Sequence, residues 1–201
     1  MTTLEEMLQT DSKMLEEWFD RRFAQKMAEQ QQSKTTTLSL LVTKGTLDWA
    51  YTTFILASTA AALGWNVSVF FTFYGLGLLK KELNPDISGL GNPAMPMKMP
   101  FGPAWFRGVN WNIPNLVQAN VPGFEKLATN LMKMTLKQKG VAPVADLRQI
   151  CVESDVELLA CQMTVDLFGW EKDDFFDGVS DWAGAATYLT RAAEADVTLF
   201  T

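Results

Sequence analysis

The sequence predicts an α/β fold on a mainly parallel sheet, and three stretches carry that prediction. Residues 38–74 read as strand, helix and strand in quick succession, the signature of a parallel βαβ unit with a right-handed crossover. Residues 157–169 begin as a short apolar run and switch to helical spacing at Thr164, with Cys161 at the switch. Residues 184–200 join a helical segment to a last strand-like run, Asp196-Val197-Thr198-Leu199-Phe200. Four strands are clear on this reading, with helices between them.

Taken in order, the chain opens with a helical extension over residues 1–33. Thr3 and Glu6 have the spacing of a capping box, and Leu4, Leu8, Leu15, Trp18, Phe23 and Met27 follow at broadly helical intervals. Asp11-Ser12 is a point where it can break into two helices. Such a helix either packs on its own domain or embraces a neighbouring subunit, and the link Gln30-Gln31-Gln32-Ser33 leaves room for both. The α/β domain then occupies residues 34–201.

Leu38 to Thr43 is its first strand, ending at Lys44-Gly45; Thr46 is the N-cap of a helix from Leu47 to about Leu63, and Gly64 stops that helix. Trp65 to Tyr74 is the second strand. Gly75-Leu76-Gly77 makes a sharp turn after it; two glycines are too few for a dinucleotide fingerprint, although backbone N–H groups there suit an anion. Phe124 to Lys139 returns to a helix, with Lys133, Lys137 and Lys139 toward its C-terminal end, where cations suit the dipole. That basic face is solvated or docks an acidic partner. Pro143 opens the next helix, with Leu147, Ile150 and Cys151 along its inner side. Residues 156–161 form the third strand, a short helix ends at Phe168, and residues 171–176 form a short acidic helix. Asp177-Gly178-Val179 is a turn or a tiny strand.

Residues 84–122 form a long insertion holding seven of the eight prolines, with Met95, Met97, Met99, Trp105 and Trp111. Its large apolar side chains require cover from its own domain or from another chain. The methionines are adaptable packing, or else soft ligands for Cu(I) with no nearby cysteine or histidine to assist.

The 201 residues carry a formal net charge of −6 with basic residues scattered, which argues against nucleic acid as a partner. There is no histidine, so Ser-His-Asp and Cys-His hydrolases and His-ligated zinc are excluded. Two cysteines alone cannot make a zinc site. No secretory signal precedes Cys151 and Cys161, so a reducing, cytoplasmic setting is expected, and no cofactor is. No charge occurs between Asp48 and Lys80, a run longer than a spanning helix needs. Gly64-Trp65-Asn66 interrupts it, and the part beyond is β-branched and aromatic. A buried helix and a buried strand are therefore favoured over membrane association.

Cys161 is the candidate catalytic residue. A thiol at the C-terminal end of a parallel strand, where a helix begins, meets unpaired N–H groups and the positive helix end, which favour the thiolate. A plain buried cysteine is the competing reading, and it fits Cys151 better. Lys44, Gly45, Tyr74, Gln162 and Thr164 are the expected site neighbours, with Lys44 a counter-charge on topology alone. Without histidine or an acid–base pair, thiol exchange suits this site better than hydrolysis.

Several motifs in order resemble one known family. Leu40-Leu41-Val42-Thr43-Lys44-Gly45-Thr46-Leu47-Asp48, Gly64 to Leu76, Ala160-Cys161-Gln162-Met163-Thr164-Val165-Asp166-Leu167-Phe168-Gly169, and Gly184-Ala185-Ala186-Thr187-Tyr188-Leu189 are similar to the DsrE/DsrF/DsrH-like proteins. The nearest branch is the one with an N-terminal helical extension and a Met-rich loop, often labelled peroxiredoxin-like. The resemblance implies a three-layer α/β sandwich with a sheet of about five strands, assembled as a homo-oligomer. It implies a sulfurtransferase or sulfur carrier that holds sulfane sulfur as a persulfide or thiosulfonate and exchanges it with TusA-like carriers and rhodaneses. Cys161 carries over as the acceptor thiol, and Cys151 has no equally firm counterpart. A non-catalytic scaffold subunit of a sulfur-relay complex is the alternative.

Overall fold

The computed structural model describes residues 4–88, 98–111, 114 and 120–201. Two compact units divide the chain, residues 1–35 and residues 36–201. The first is a single helix, α1 (Leu4–Ser33), which runs through Asp11 and Ser12 without a break. Neither residue blocks the backbone hydrogen bonds of a helix interior as proline would, and good helix formers flank both. The capping pair involving Thr3 lies outside the described residues, as do Met95 and Met97.

The second unit is built on five parallel strands: β1 (Thr37–Val42), β2 (Asn66–Phe71), β3 (Glu157–Cys161), β4 (Asp181–Ala183) and β5 (Val197–Phe200). Their order is β4-β3-β2-β1-β5, so the chain steps outward from β1 to β4 and then crosses to the far edge. Every pairing is parallel, with Leu40 beside Val69, Val69 beside Leu158 and Cys161 beside Ala183.

Period-2 alternation sorts the side chains onto two faces. Leu38, Leu40, Val42, Val69, Phe71 and Leu158 enter the larger core. There α2 (Leu47–Ala62) packs on β1 and β2 and on α5 (Val144–Glu153). Leu159, Cys161 and Phe70 point the other way, into a smaller cluster with Ala183 and Tyr188. That face is crossed by α7 (Ala185–Glu194), which touches β1 and β4. Between these elements lie α3 (Ala104–Arg107), α4 (Phe124–Gln138) and α6 (Gln162–Leu167).

Three local readings are corrected. The second strand ends at Phe71, and residues Phe73–Leu79 wind into a 3-10 helix that buries Leu76, Leu78 and Leu79 and leaves Phe73 and Tyr74 exposed. The acidic segment 171–176 contains only one 3-10 turn, Lys172–Asp174, closed by a reciprocal capping box between Glu171 and Asp174. The fifth strand of the sheet is Asp181–Ala183, just past the turn at Asp177-Gly178; three residues are too few to display an alternation.

Arg148 of α5 is buried, yet it has a defined task. One terminal nitrogen donates to the carbonyls of Leu78 (3.0 Å) and Lys80 (2.7 Å), and the guanidinium lies 4.0 Å over the Phe176 ring. It thereby caps the C-terminal end of the 3-10 helix, where carbonyl dipoles favour a cation. Burial lowers its pKa from the ordinary arginine value.

Within the insertion, residues 98–111 gather around Phe106, whose ring lies 6.0 Å from Phe101, 5.7 Å from Trp105 and 5.8 Å from Trp111. Gly102 has φ +91, and a Cβ there would press to 3.0 Å on Phe106. The apolar residues of this stretch thus supply part of their own cover. Among the described residues no helix is long and apolar enough to cross a membrane.

Candidate functional site

Cys161 is the last residue of β3 and the N-cap of α6, with φ −71 and ψ 105. Helix α6 begins directly after it, at Gln162, and stops where Gly169 takes φ +65. The switch at this thiol is sharp because Leu158, Leu159 and Ala160 before it are buried on both faces of the sheet, whereas Gln162 to Leu167 buries only Thr164 and Val165 on one side. The thiol is 3% exposed. It packs with Phe70, Leu159, Ala183 and Tyr188, and with the partly buried Leu41 and Ala192.

Thr164 fixes the turn from below. Fully buried, it places its hydroxyl 3.1 Å from that of Thr72 at the end of β2. The Phe73 backbone N–H also points at the Thr164 hydroxyl, at 3.5 Å. Phe73 has φ 47, a left-handed conformation that a bulky residue adopts only when its surroundings impose it. The strained turn after β2 and the first turn of α6 therefore share one anchor.

The other expected neighbours are spread over the same edge of the sheet. Gly45 lies where the loop after β1 meets the loop after β2: a Cβ there would fall 2.3 Å from the Tyr74 carbonyl oxygen. Gly75 matches it, 2.5 Å from the Val42 carbonyl oxygen. The Gly75 N–H is already spent on the carbonyls of Thr43 (3.1 Å) and Thr72 (3.0 Å), so it is not offered to an anion. Tyr74 is 74% exposed and leans on Phe168, with ring centroids 6.2 Å apart. Gln162 donates to Asp166 at 2.7 Å along α6, not to the thiol. Lys44 follows β1, two strands from β3, which sets the strand ends about 10 Å apart. Its ammonium sits 3.6 Å over the Trp49 ring. Around this edge Phe73, Tyr74, Met163 and Leu167 stand exposed and form an apolar rim.

Sequence reasoning missed one member of the Cys161 cluster as a site residue. Tyr188 of α7 is buried and stacks on Phe70 at 5.1 Å. Burial raises its phenol pKa. The signal is Tyr188 and Ala192 at i and i+4, which puts both on the inner face of a helix whose other residues are exposed or half-buried.

Cys151 lies in the larger core, across the sheet from Cys161. Its Sγ is 3.7 Å from the Phe54 carbonyl oxygen, and burial pushes its pKa up to about 12. Both cysteines are free thiols. Among the described residues no group of three or more His, Cys, Asp or Glu side chains can hold a metal ion.

Comparison with known proteins shows the family of the chain. Residues 34–200 match the model of the DsrE/DsrF/DrsH-like family. The chain is 52% identical over 163 residues to the sulfur carrier protein DsrE2 of Allochromatium vinosum, covering 81% of this chain and 96% of that protein. It is 33% identical over 171 residues to the uncharacterized protein YrkE of Bacillus subtilis, covering 85% of this chain and 98% of that one. The crystal structure of the ychN protein from E. coli aligns with a TM-score of 0.43 at 11% identity, over 84% of this chain and 100% of that one. The chain belongs to the DsrE/DsrF/DrsH-like family.

Proposed function

We propose that this protein traffics sulfur, with Cys161 as the acceptor. The Cys161 thiolate attacks the outer sulfur of a donor persulfide; a new S–S bond forms, the donor's S–S bond breaks, and the donor leaves as its thiolate. No electrons are gained or lost overall. With tetrathionate the same attack on an inner sulfur leaves a thiosulfonate on Cys161 and releases thiosulfate. The sulfur then passes to a carrier of the TusA type or to a rhodanese.

One observation carries the reading: a thiol at a strand–helix junction on the C-terminal edge of a parallel sheet, packed among apolar side chains. Sulfur exchange needs a nucleophile and a leaving thiolate, and requires neither a metal nor an acid–base dyad. The apolar surroundings shield a bound persulfide from water and small reductants. The exposed rim of Phe73, Tyr74, Met163 and Leu167 supports docking of a protein partner beside it. The 52% identical relative, itself named a sulfur carrier protein, supports the same role.

The test is intact mass after incubation with thiosulfate or tetrathionate. The wild type is expected to gain a persulfide sulfur or a thiosulfonate group, reversible by dithiothreitol, and Cys161→Ser is expected to gain neither. An unchanged adduct on Cys161→Ser overturns the assignment.

The 3% exposure of Cys161 favours a second reading, a scaffold subunit that holds relay partners without carrying sulfur. Normal sulfur transfer by a relay reconstituted with Cys161→Ala would establish it.

A further inference from the structure

Helix α1 contains 30 residues, roughly 45 Å of helix at the α-helical rise. It lies before the segment that matches the family, which begins at residue 34. Along it Met14, Leu15, Trp18, Phe19, Phe23 and Met27 are between 45% and 66% exposed. Phe19 and Phe23 stack on each other at 6.2 Å, so the stripe is continuous through the middle of the helix. A stripe of this size on a soluble helix marks a surface that something covers.

Charge identifies the occupant. The half before residue 21 holds six carboxylates, Glu5, Glu6, Asp11, Glu16, Glu17 and Asp20, against the single cation Lys13. The half after it holds Arg21, Arg22 and Lys26 against Glu29 alone. An anionic lipid surface would be repelled by the acidic half, so the helix is a poor membrane anchor. A parallel pair of these helices would set acid on acid. An antiparallel pair sets the acidic half of each against the basic half of the other. With its centre at Phe19, such a pair brings Leu15 level with Phe23 of the other helix, and Glu16 and Glu17 level with Arg22 and Arg21. The Leu15–Phe23 contacts and the glutamate–arginine pairs then coincide in one register.

We infer that α1 is an antiparallel dimerisation helix, whose exposed stripe is covered by the α1 of a second copy of this chain. The pairing links two α/β domains through an element outside the family fold, and the association of the two copies depends on it.

The test measures the mass of the full chain by sedimentation equilibrium at several concentrations. The wild type is expected to have twice the mass of the Leu15→Glu/Phe19→Glu variant. The Arg21→Glu/Arg22→Glu/Lys26→Glu variant, acidic throughout α1, is expected to show the halved mass alone. So is Glu16→Lys/Glu17→Lys/Asp20→Lys. An equimolar mixture of these two is expected to regain the doubled mass, a gain that misfolding cannot imitate. Equal masses for the wild type and Leu15→Glu/Phe19→Glu overturn the proposal, because the stripe then packs on its own domain or on a different protein. A mixture that stays at the halved mass overturns the antiparallel pairing. Flotation of the wild type with vesicles of phosphatidylcholine and phosphatidylserine, lost in Leu15→Glu/Phe19→Glu, would assign the stripe to lipid and also overturn it.

Discussion

The hydroxyls of Thr72 and Thr164 lie 3.1 Å apart and tie the end of β2 to the first turn of the helix that Cys161 caps. Thr164 is fully buried, so its oxygen has no water to fall back on. The Thr164→Val substitution keeps the shape and removes this bond together with the acceptor for Phe73 N–H. A loss of about 1–3 kcal/mol is expected, since a partly buried donor is left without a partner. Urea unfolding measures it. A cycle with Thr72→Val should give a coupling of about 0.5–1.5 kcal/mol. No coupling would mean that the two hydroxyls do not support each other.

Gly45 and Gly75 hold the loops after β1 and β2 in backbone contact, and a Cβ at either meets a carbonyl oxygen, at 2.3 Å or 2.5 Å. Neither oxygen can withdraw without moving a strand end, so Gly45→Ala and Gly75→Ala are each expected to destabilise by about 2–4 kcal/mol, the range of overpacking or more. Gly77 has nothing within 4 Å of an added Cβ and is the control. Gly77→Ala should be near neutral, within about 0.5 kcal/mol, as surface substitutions usually are. Thermal unfolding of the three variants separates them, and equal midpoints would show that the two loops can part freely.

Much of this geometry was legible in residue order. The period change at Cys161 announced a strand–helix junction, and Gly64 and Gly169 announced helix ends that the positive φ values bear out. What pattern alone could not supply was anything set by tertiary contact. Phe73 and Tyr74 read as the end of the second strand because they continue its aromatic run, whereas the 3-10 helix they open is closed at its far end by Arg148, 70 residues away from Leu78. Asp181–Ala183 is a strand only because β3 lies beside it. Thr164 and Gln162 were both visible as hydrogen-bonding neighbours of the thiol. Which of them turns inward was fixed by the register of a six-residue helix, and it is Thr164. Tyr188 was quoted for its motif and not for its place, because only the folded sheet brings α7 onto the face to which Cys161 points.

Cys151 and Cys161 lie on opposite faces of the sheet, and Cys151 belongs to the larger core. Burial holds the Cys151 thiol near 12, against an ordinary value of 9.0 in the same scale, so the folded state keeps this proton while the unfolded chain releases it. Its folded pKa is raised. The stability it contributes is therefore complete below about pH 9 and is lost as pH climbs toward 12. Over that window the folding free energy should fall by about 1.4 kcal/mol per pH unit on this group's account. Lysines and tyrosines titrate in the same range, so the measurement is a difference: urea unfolding of the wild type and of Cys151→Ala from pH 8 to 11. Cys151→Ala is expected to be less stable at pH 8 by about 1 kcal/mol, for the small cavity it leaves. It should overtake the wild type above pH 10. At pH 8 a maleimide should leave Cys151 unlabelled until the protein is unfolded, because the thiolate is the reactive form. Parallel stability curves for the two proteins, or rapid labelling of Cys151 in the native state, would place that thiol outside the core and reopen its part in sulfur exchange.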